Sequence, residues 1–248
     1  MKTWLITGCS FGFGRNLAET LLSEGEQVIV TARKPKTIQH FAKNYPQTAL
    51  CLRLDVTKKD TIDATVNAAI EKFGKIDVLI NNAGYCLRGA VEECTEEEIY
   101  AEFNTNFFGA VRMIQTVLPH MRKAGIGAII NYSSIAALDT SAGSAFYGAA
   151  KCALEGLSCG LRKEVEPLGI KVMVVEPGPF KTDFFDRSID INPNWIDAYD
   201  NTANKRKVKI SDLSKYQVVR HGSGLQTYHG HHSKTGCSAP HSLRLNGR

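Results

Sequence analysis

The chain has no apolar run of about 18 residues, the length a helix needs to cross a bilayer. No membrane-spanning segment is expected. Its start, Met1–Thr7, lacks a charged stretch followed by a long apolar core, so no secretory leader is expected either. No Cys-x-x-Cys occurs among its seven cysteines, at positions 9, 51, 86, 94, 152, 159 and 237. An odd number without paired spacing argues against a disulfide framework and for reduced thiols in a cytoplasmic protein. Acid is scarce at one end. From Lys205 to Arg248 nine Lys or Arg face a single acid, Asp212, so this tail carries +8 and residues 1–204 carry −3 of the overall +5. The basic balance therefore belongs to the tail, and no nucleic-acid partner is expected for the body.

What is present is an alternation of strand-like and helix-like runs. Strand patterns fall at Thr3–Thr7, Gln27–Ala32, Ala49–Leu54, Ile76–Asn81, Ala128–Tyr132 and Lys171–Glu176. Helical patterns fall at Arg15–Glu24, Thr37–Asn44, Thr57–Phe73, Glu96–Arg122 and Tyr147–Glu166, with Gly109 interrupting the fourth. With 248 residues and 43% hydrophobic content, this is an α/β domain with a full core, spanning 1–204. Asn131-Tyr132-Ser133 is a formal glycosylation sequon, but it lies at a strand end and is read as chance.

Two constellations carry chemistry. The first is Gly8-Cys9-Ser10-Phe11-Gly12-Phe13-Gly14, between a strand and a helical pattern. Strand, glycine turn and helix is the context in which backbone approaches a dinucleotide pyrophosphate at a helix N-terminus. The second is Ser134, then Tyr147 and Lys151. Tyr147 and Lys151 sit four apart on one helix face, so the ammonium can lie near the phenol. A free phenol has a pKa of about 10, and a fixed cation would lower it. The second strand ends in Arg33 and Lys34, and no acid lies between Thr31 and Lys36. An acid there would bind the ribose 2′-hydroxyl of NAD, whereas a basic residue suits the 2′-phosphate of NADP. NADP(H) is favoured over NAD(H).

Taken in order, Thr7-Gly8-x-x-x-Gly12-x-Gly14, Asn81-Asn82-Ala83-Gly84, Asn106, Ser134, Tyr147-x-x-x-Lys151 and Pro177-Gly178 resemble the motifs of the short-chain dehydrogenase/reductase family. The resemblance runs from Met1 to about Phe185, and its local style is similar to the branch of steroid- and retinol-dehydrogenase-like enzymes. It implies a three-layer Rossmann fold: a doubly wound parallel sheet of six strands with helices on both faces. Tyr147 would be the catalytic acid/base, Lys151 would hold the nicotinamide ribose and tune Tyr147, and Ser134 would orient the substrate oxygen. Asn106 would anchor a proton-relay water. The implied cofactor-binding set is Gly8, Ser10, Phe11, Gly12, Phe13, Gly14, Arg33, Asp55, Val56, Asn82, Ala83, Gly84, Tyr147, Lys151, Pro177, Gly178 and Thr182. Within it, Asp55 would meet the adenine, Asn82-Ala83-Gly84 the adenosine ribose and Thr182 the nicotinamide amide. The reaction implied is hydride exchange with a small-molecule secondary alcohol or ketone. A nucleotide-sensing protein with catalysis lost is the alternative, although it would need no proton carrier.

The tail, 205–248, departs from the family pattern, which places a helix, an apolar seventh strand and an interface for a homo-oligomer in this region. Tyr216–Val219 and Ser242–Leu245 are short, and no seventh strand is evident. The tail is expected to be a poorly ordered or anomalous terminus, such as a shifted reading frame would give, with binding of nucleic acid or an anionic surface through its charge as the alternative. Five of the seven His lie in it, including His229, His231 and His232. Their loose spacing suits adventitious metal uptake at most, and no metal site is expected. The segment Lys181–Thr202, with Phe184, Phe185, Ile189, Trp195 and Tyr199, suggests a lid over an apolar substrate.

Overall fold

The structure is a computed structural model that describes residues 1–178, 188–208 and 242–245, the last four and Val208 as backbone. Contacts divide the chain into two compact units. The first comprises Met1–Gly84, Phe108–Asn131 and Gly160–Val172, and the second Tyr85–Phe107, Tyr132–Cys159 and Met173–Arg248.

In the first unit, β1 (Thr3–Ile6) pairs in parallel with β2 (Gln27–Ala32) and β4 (Val78–Asn81). β3 (Ala49–Arg53) extends the sheet beyond β2, and β6 (Gly127–Tyr132) extends it beyond β4. Leu5, Ile6, Val28, Ile29, Val30 and Leu79 are fully buried. Their near-continuous apolar runs are what strands covered on both faces require. Three helices cover the sheet. α1 (Gly12–Ser23) buries Ala18, Leu21 and Leu22. α3 (Lys59–Phe73) buries Ile62, Val66 and Ala69, and α5 (Gly109–Ala124) buries Met113, Ile114, Val117 and Met121. Each set recurs at three- and four-residue spacing, the stripe of a helix with one face on a core. A short α2 (Gln39–Asn44) anchors Phe41.

The full strand order is β3-β2-β1-β4-β6-β7-β9, with β7 at Ile170–Pro177 and β9 at Ser242–Leu245. Six parallel strands with helices around them form the Rossmann arrangement expected. Order runs outward from β1 toward β3 on one side and from β4 toward β7 on the other. The switch point of such a sheet, where ligands bind, therefore lies between β1 and β4. The expectation that the tail forms no seventh strand does not hold. β9 pairs in parallel with β7, Val174 opposite Ser242 through Pro177 opposite Leu245. The missing apolar run argued only against a central strand. An edge strand needs four residues of extended backbone with ladder bonds on one side. Apart from β9 and residues 205–208, the tail lies outside the described residues.

In the second unit, α4 (Glu96–Phe103) opens on a capping box. Thr95 Oγ1 accepts from the Glu98 amide at 3.3 Å and Glu98 Oε2 accepts from the Thr95 amide at 2.9 Å. β5 (Cys86–Arg88) pairs in parallel with β8 (Ile189–Ile191), a two-stranded element the sequence did not announce. α6 (Ala145–Val165) carries the Tyr–Lys pair, and α7 (Asn204–Val208) follows β8. A buried ion pair ties α7 back. Lys207 Nζ lies 2.6 Å from Glu93 Oε2 and donates to the Asn194 carbonyl at 2.6 Å, while Glu93 Oε1 accepts from the Ile196 amide at 2.9 Å.

Cys9, Cys51, Cys86, Cys94 and Cys152 are free thiols. Cys159 is disulfide-bonded, against the expectation of reduced thiols throughout. Folding sets which sulfurs meet, and sequence spacing does not reveal it. Among the described residues, no helix is long and apolar enough to cross a membrane, and no three His, Cys, Asp or Glu gather as a metal site would require.

Candidate active site

The first unit holds the glycine turn. After β1 the chain enters the glycine turn with Gly8 at φ +76° and Gly12 at φ +63°, values that L side chains rarely adopt. Gly8 also lacks room: a Cβ there would sit 3.0 Å from Ala83 Cα. At Gly14 a Cβ would meet the Asn82 amide and lie 2.6 Å from the Gly8 carbonyl. The turn is braced from β4. Asn82 Nδ2 donates to the Thr7 and Gly8 carbonyls at 2.8 and 3.0 Å, and Thr7 Oγ1 accepts from the amides of Asn82 and Ala83 at 3.0 and 2.9 Å. The Asn82 side chain thus shapes the turn. The Cys9 amide donates to the Thr31 carbonyl at 2.8 Å, and Ser10 Oγ lies 3.1 Å from Thr37 Oγ1.

α1 begins without a side-chain cap from Phe11 and without an acid in its first turn. That is an electropositive helix end aimed out of the glycine turn, as a pyrophosphate requires. Arg33 at the end of β2 is exposed and in no ion pair among the described residues. Asp55 follows β3. Burial alone would raise its carboxyl, but hydrogen bonds from the Thr57 amide and hydroxyl at 3.0 and 2.7 Å, with Arg33 and Lys58 nearby, hold it below the ordinary range. Val56 is buried and its carbonyl accepts from Arg112 at 3.4 Å.

The second unit holds Ser134, Tyr147 and Lys151. Ser134 begins the turn after β6, its Oγ accepting from the Ala136 amide at 3.1 Å. The neighbouring Ser133 hydroxyl donates to Glu155 on α6 at 2.6 Å, and its amide donates to the Val175 carbonyl on β7 at 2.8 Å. These bonds fix the Ser134 turn against the helix that carries Tyr147. Gly148 completes the fit, since a Cβ there would press on Thr140 and on the Ala136 carbonyl at 2.9 Å. Ser134 hydrogen-bonds the Tyr147 phenol. Lys151 is 5% exposed, donates to the Tyr132 carbonyl at 2.7 Å and places Nζ 5.6 Å from the Tyr147 ring centre.

The electrostatics differ from the sequence expectation in one respect. Burial pushes the Tyr147 phenol above its ordinary value, Ser134 opposes this, and Cys86 and Glu102 add to the rise. Burial also lowers Lys151 to about 8, although Glu102 and Cys86 support its charge. Desolvation of the pair therefore outweighs the lowering expected from helical spacing alone.

Asn106 lies in a π-helical turn, Asn104–Phe108, between α4 and α5. The break predicted at Gly109 thus falls one element earlier, as a widened turn of the kind that often marks functional sites. Its side chain clasps the backbone of Tyr85: Nδ2 donates to the Tyr85 carbonyl at 2.7 Å and Oδ1 accepts from the Tyr85 amide at 3.0 Å. Glu102, missed in the sequence, is fully buried beside it. Its Oε1 accepts from the Leu87 amide at 2.9 Å and from Asn106 Nδ2 at 3.5 Å, while Oε2 has no partner among the described residues. Burial raises this carboxyl to about 7, opposed by the Leu87 bond and by Lys151. The only sequence signal was an acid at a four-residue interval before Asn106, which also fits a solvated helix face.

Pro177 ends β7 and Gly178 follows it. Thr182, Phe184 and Phe185 lie outside the described residues. Of the remaining expected lid aromatics, Trp195 covers Lys207 Nζ at 5.6 Å and the Tyr199 hydroxyl donates to Glu92 at 2.7 Å.

Comparison with known proteins places this chain. A family model described as short chain dehydrogenase matches residues 2–191. A 3-ketodihydrosphingosine reductase of Bacteroides thetaiotaomicron is 46% identical over 182 residues, 73% of this chain and 65% of that protein. The alignment thus leaves about a third of that relative unmatched. The solved short-chain dehydrogenase from Streptomyces avermitilis is 40% identical with a TM-score of 0.79, over 84% of this chain and 78% of that one. ElxO with NADP bound is 35% identical with a TM-score of 0.69, over 73% and 75%. A relative from Burkholderia phymatum in complex with NAD is 26% identical with a TM-score of 0.71, over 75% and 68%. The chain belongs to the short-chain dehydrogenase family.

Proposed function

We propose that this protein is an NADP-dependent oxidoreductase that exchanges a hydride with a secondary alcohol or ketone. The observation that carries this is the cluster of half-buried Ser134 and Tyr147 with buried Lys151, a proton carrier held between a hydrogen-bonding hydroxyl and a cation. A packing motif would gain nothing from burying a Lys without a carboxylate partner.

The uncapped start of α1 and the glycine turn suit a pyrophosphate, and Arg33 suits a 2′-phosphate. Asp55 would receive the adenine, and Lys151 the nicotinamide ribose. When bound, the nicotinamide supplies or accepts the hydride. In reduction, the Ser134 hydroxyl donates a hydrogen bond to the carbonyl oxygen, and Tyr147 passes its proton to that oxygen as negative charge develops. A phenol whose proton affinity is raised by burial is protonated at neutral pH, ready for this direction. Lys151 steadies the phenolate that remains, and Asn106 fixes the backbone of Tyr85 beside the proton path.

The test is Tyr147→Phe, assayed by NADPH consumption over a panel of ketones. Removing a general acid should lower turnover by about 10²–10⁴ and leave NADPH affinity nearly intact. Wild-type turnover in that variant would place proton transfer elsewhere.

A further inference from the structure

Among the described residues of the second unit, Arg88 is the one buried cation whose charge has no stated use. It ends β5 and is 5% exposed. Its Nη1 donates to the Arg206 carbonyl at 3.0 Å, its guanidinium meets the Cys86 thiol, and its Nε has no partner among the described residues. Among the described residues no carboxylate pairs with it. Arg206 stands nearby and adds a second positive charge. Lys207, next along α7, is neutralised by Glu93 and contributes none.

Leaving a buried cation unpaired is costly, and native proteins pair or hydrate such groups. A bond to one neutral carbonyl offsets little of that cost. The position tells what the charge could serve. Residues two apart on a strand share a face, so Arg88 lies on the Cys86 side of β5 and Leu87 on the other. Cys86 reaches the chemical cluster. Its Sγ is 3.9 Å from Ser144 Oγ, and it acts electrostatically on both Tyr147 and Lys151. One thiol thus stands between the guanidinium and the proton carrier. The acid in this region, Glu102, bonds the Leu87 amide and acts on Cys86.

We propose that Arg88 binds an anionic group of the substrate, a carboxylate or phosphate carried several carbons from the reacting carbonyl. The unpaired Nε and the planar fork suit two parallel hydrogen bonds to such an oxyanion. Because the Cys86 thiol contacts the guanidinium and also acts on Tyr147, the anionic group and the reacting carbonyl would be joined through a spacer. This deepens the oxidoreductase reading and rests on it for the reacting carbonyl, but the anion contact itself is independent of turnover.

The experiment has a binding arm and a turnover arm. Unbranched carboxylates of four to ten carbons and their primary amides are titrated calorimetrically into wild type, Arg88→Leu and Arg88→Lys. Wild type should bind at least one carboxylate about tenfold or more tighter than its amide, the scale of a charge-assisted hydrogen bond. Arg88→Leu should lose that difference and Arg88→Lys keep part of it. Urea unfolding without ligand should show Arg88→Leu at least as stable as wild type, because an unpaired buried charge has been removed. Equal binding of acid and amide in wild type, no carboxylate binding at millimolar concentration, or an unchanged acid preference in Arg88→Leu would each overturn the proposal. A marked loss of stability in Arg88→Leu would also overturn it, showing Arg88 to be a clip for the Arg206 carbonyl. In the turnover arm, oxo-acids of the same lengths and their methyl esters are assayed with NADPH. Carboxylate binding without turnover of any oxo compound would sink the oxidoreductase reading and leave the anion site standing. Turnover with no acid preference would do the reverse.

Discussion

Replacing Glu102 with Gln isolates one buried charge beside the proposed proton carrier. Glu102 is fully buried, and burial raises its carboxyl from 4.5 to about 7. The groups acting on it are the Leu87 amide and Lys151, which favour the charged form, and Asp190, which opposes it. At about 1.36 kcal/mol per pH unit, ionising Glu102 in the fold subtracts at most about 3 kcal/mol of stability. The sign follows from the raised value. Between pH 4.5 and 7 the folded state binds more protons than the unfolded state, so stability falls as pH rises through that window and then levels. Gln keeps the shape and the acceptor for the Leu87 amide but cannot ionise. Its Nε2 would replace an unpartnered oxygen with an unpartnered donor, costing about 1–3 kcal/mol at every pH. Absolute stabilities are therefore a poor test, and the pH slope is the good one. Urea unfolding at pH 5, 6, 7 and 8 should show wild type losing about 2.5 kcal/mol more than Glu102→Gln across the series. Parallel curves would refute the argument, since the carboxyl would then titrate alike in both states. A second readout is kinetic. Glu102 supports the charge of Lys151, whose value is about 8. Removing it should move the alkaline limb of the turnover profile to lower pH, and a limb that stays in place would show the two groups to be uncoupled.

Two further outcomes follow from other sites. Arg33→Ala should weaken NADP binding by about 1.5–3 kcal/mol, the worth of a hydrogen bond to a charged group, and leave NAD binding nearly unchanged. Equal titrations of NADP and NAD in wild type would contradict the cofactor preference. Lys207→Met leaves Glu93 buried without its cation and should cost about 3–5 kcal/mol in urea unfolding, while the double variant with Glu93→Gln should recover part of that loss. A loss below about 1 kcal/mol would mean the pair does not secure α7.

The six main strands and the long helices were legible because each is a run long enough to show a period. Gln27–Ala32 carries the apolar run Val28-Ile29-Val30 and coincides with β2. Tyr147–Glu166 shows apolar residues at helical spacing and differs from α6 by two residues at its start. The three-residue β5 and β8 are another matter. Three residues hold one alternation at most, and β8 gains its identity from pairing with a segment about a hundred residues earlier. The four-residue β9 fails for the same reason, and its context of Gly, Ser and His pointed away from structure.

The candidate site divides along a similar line. Which residues approach one another was written in the motifs: Gly8 against Ala83, Ser134 beside Tyr147, Lys151 over the phenol ring. What those residues do to protons was not, because that depends on how far the fold removes them from water. Helical spacing predicts that Lys151 lowers the Tyr147 phenol. The fold buries both groups, so desolvation raises the phenol and lowers the ammonium together. The same burial makes Glu102 and Arg88 consequential, though each reads in the sequence as an ordinary charge on a short run. Neither belongs to a motif. Both are buried charges without an ionic partner bonded to them, and such groups persist in a fold only when something else, a proton or a ligand, answers the charge.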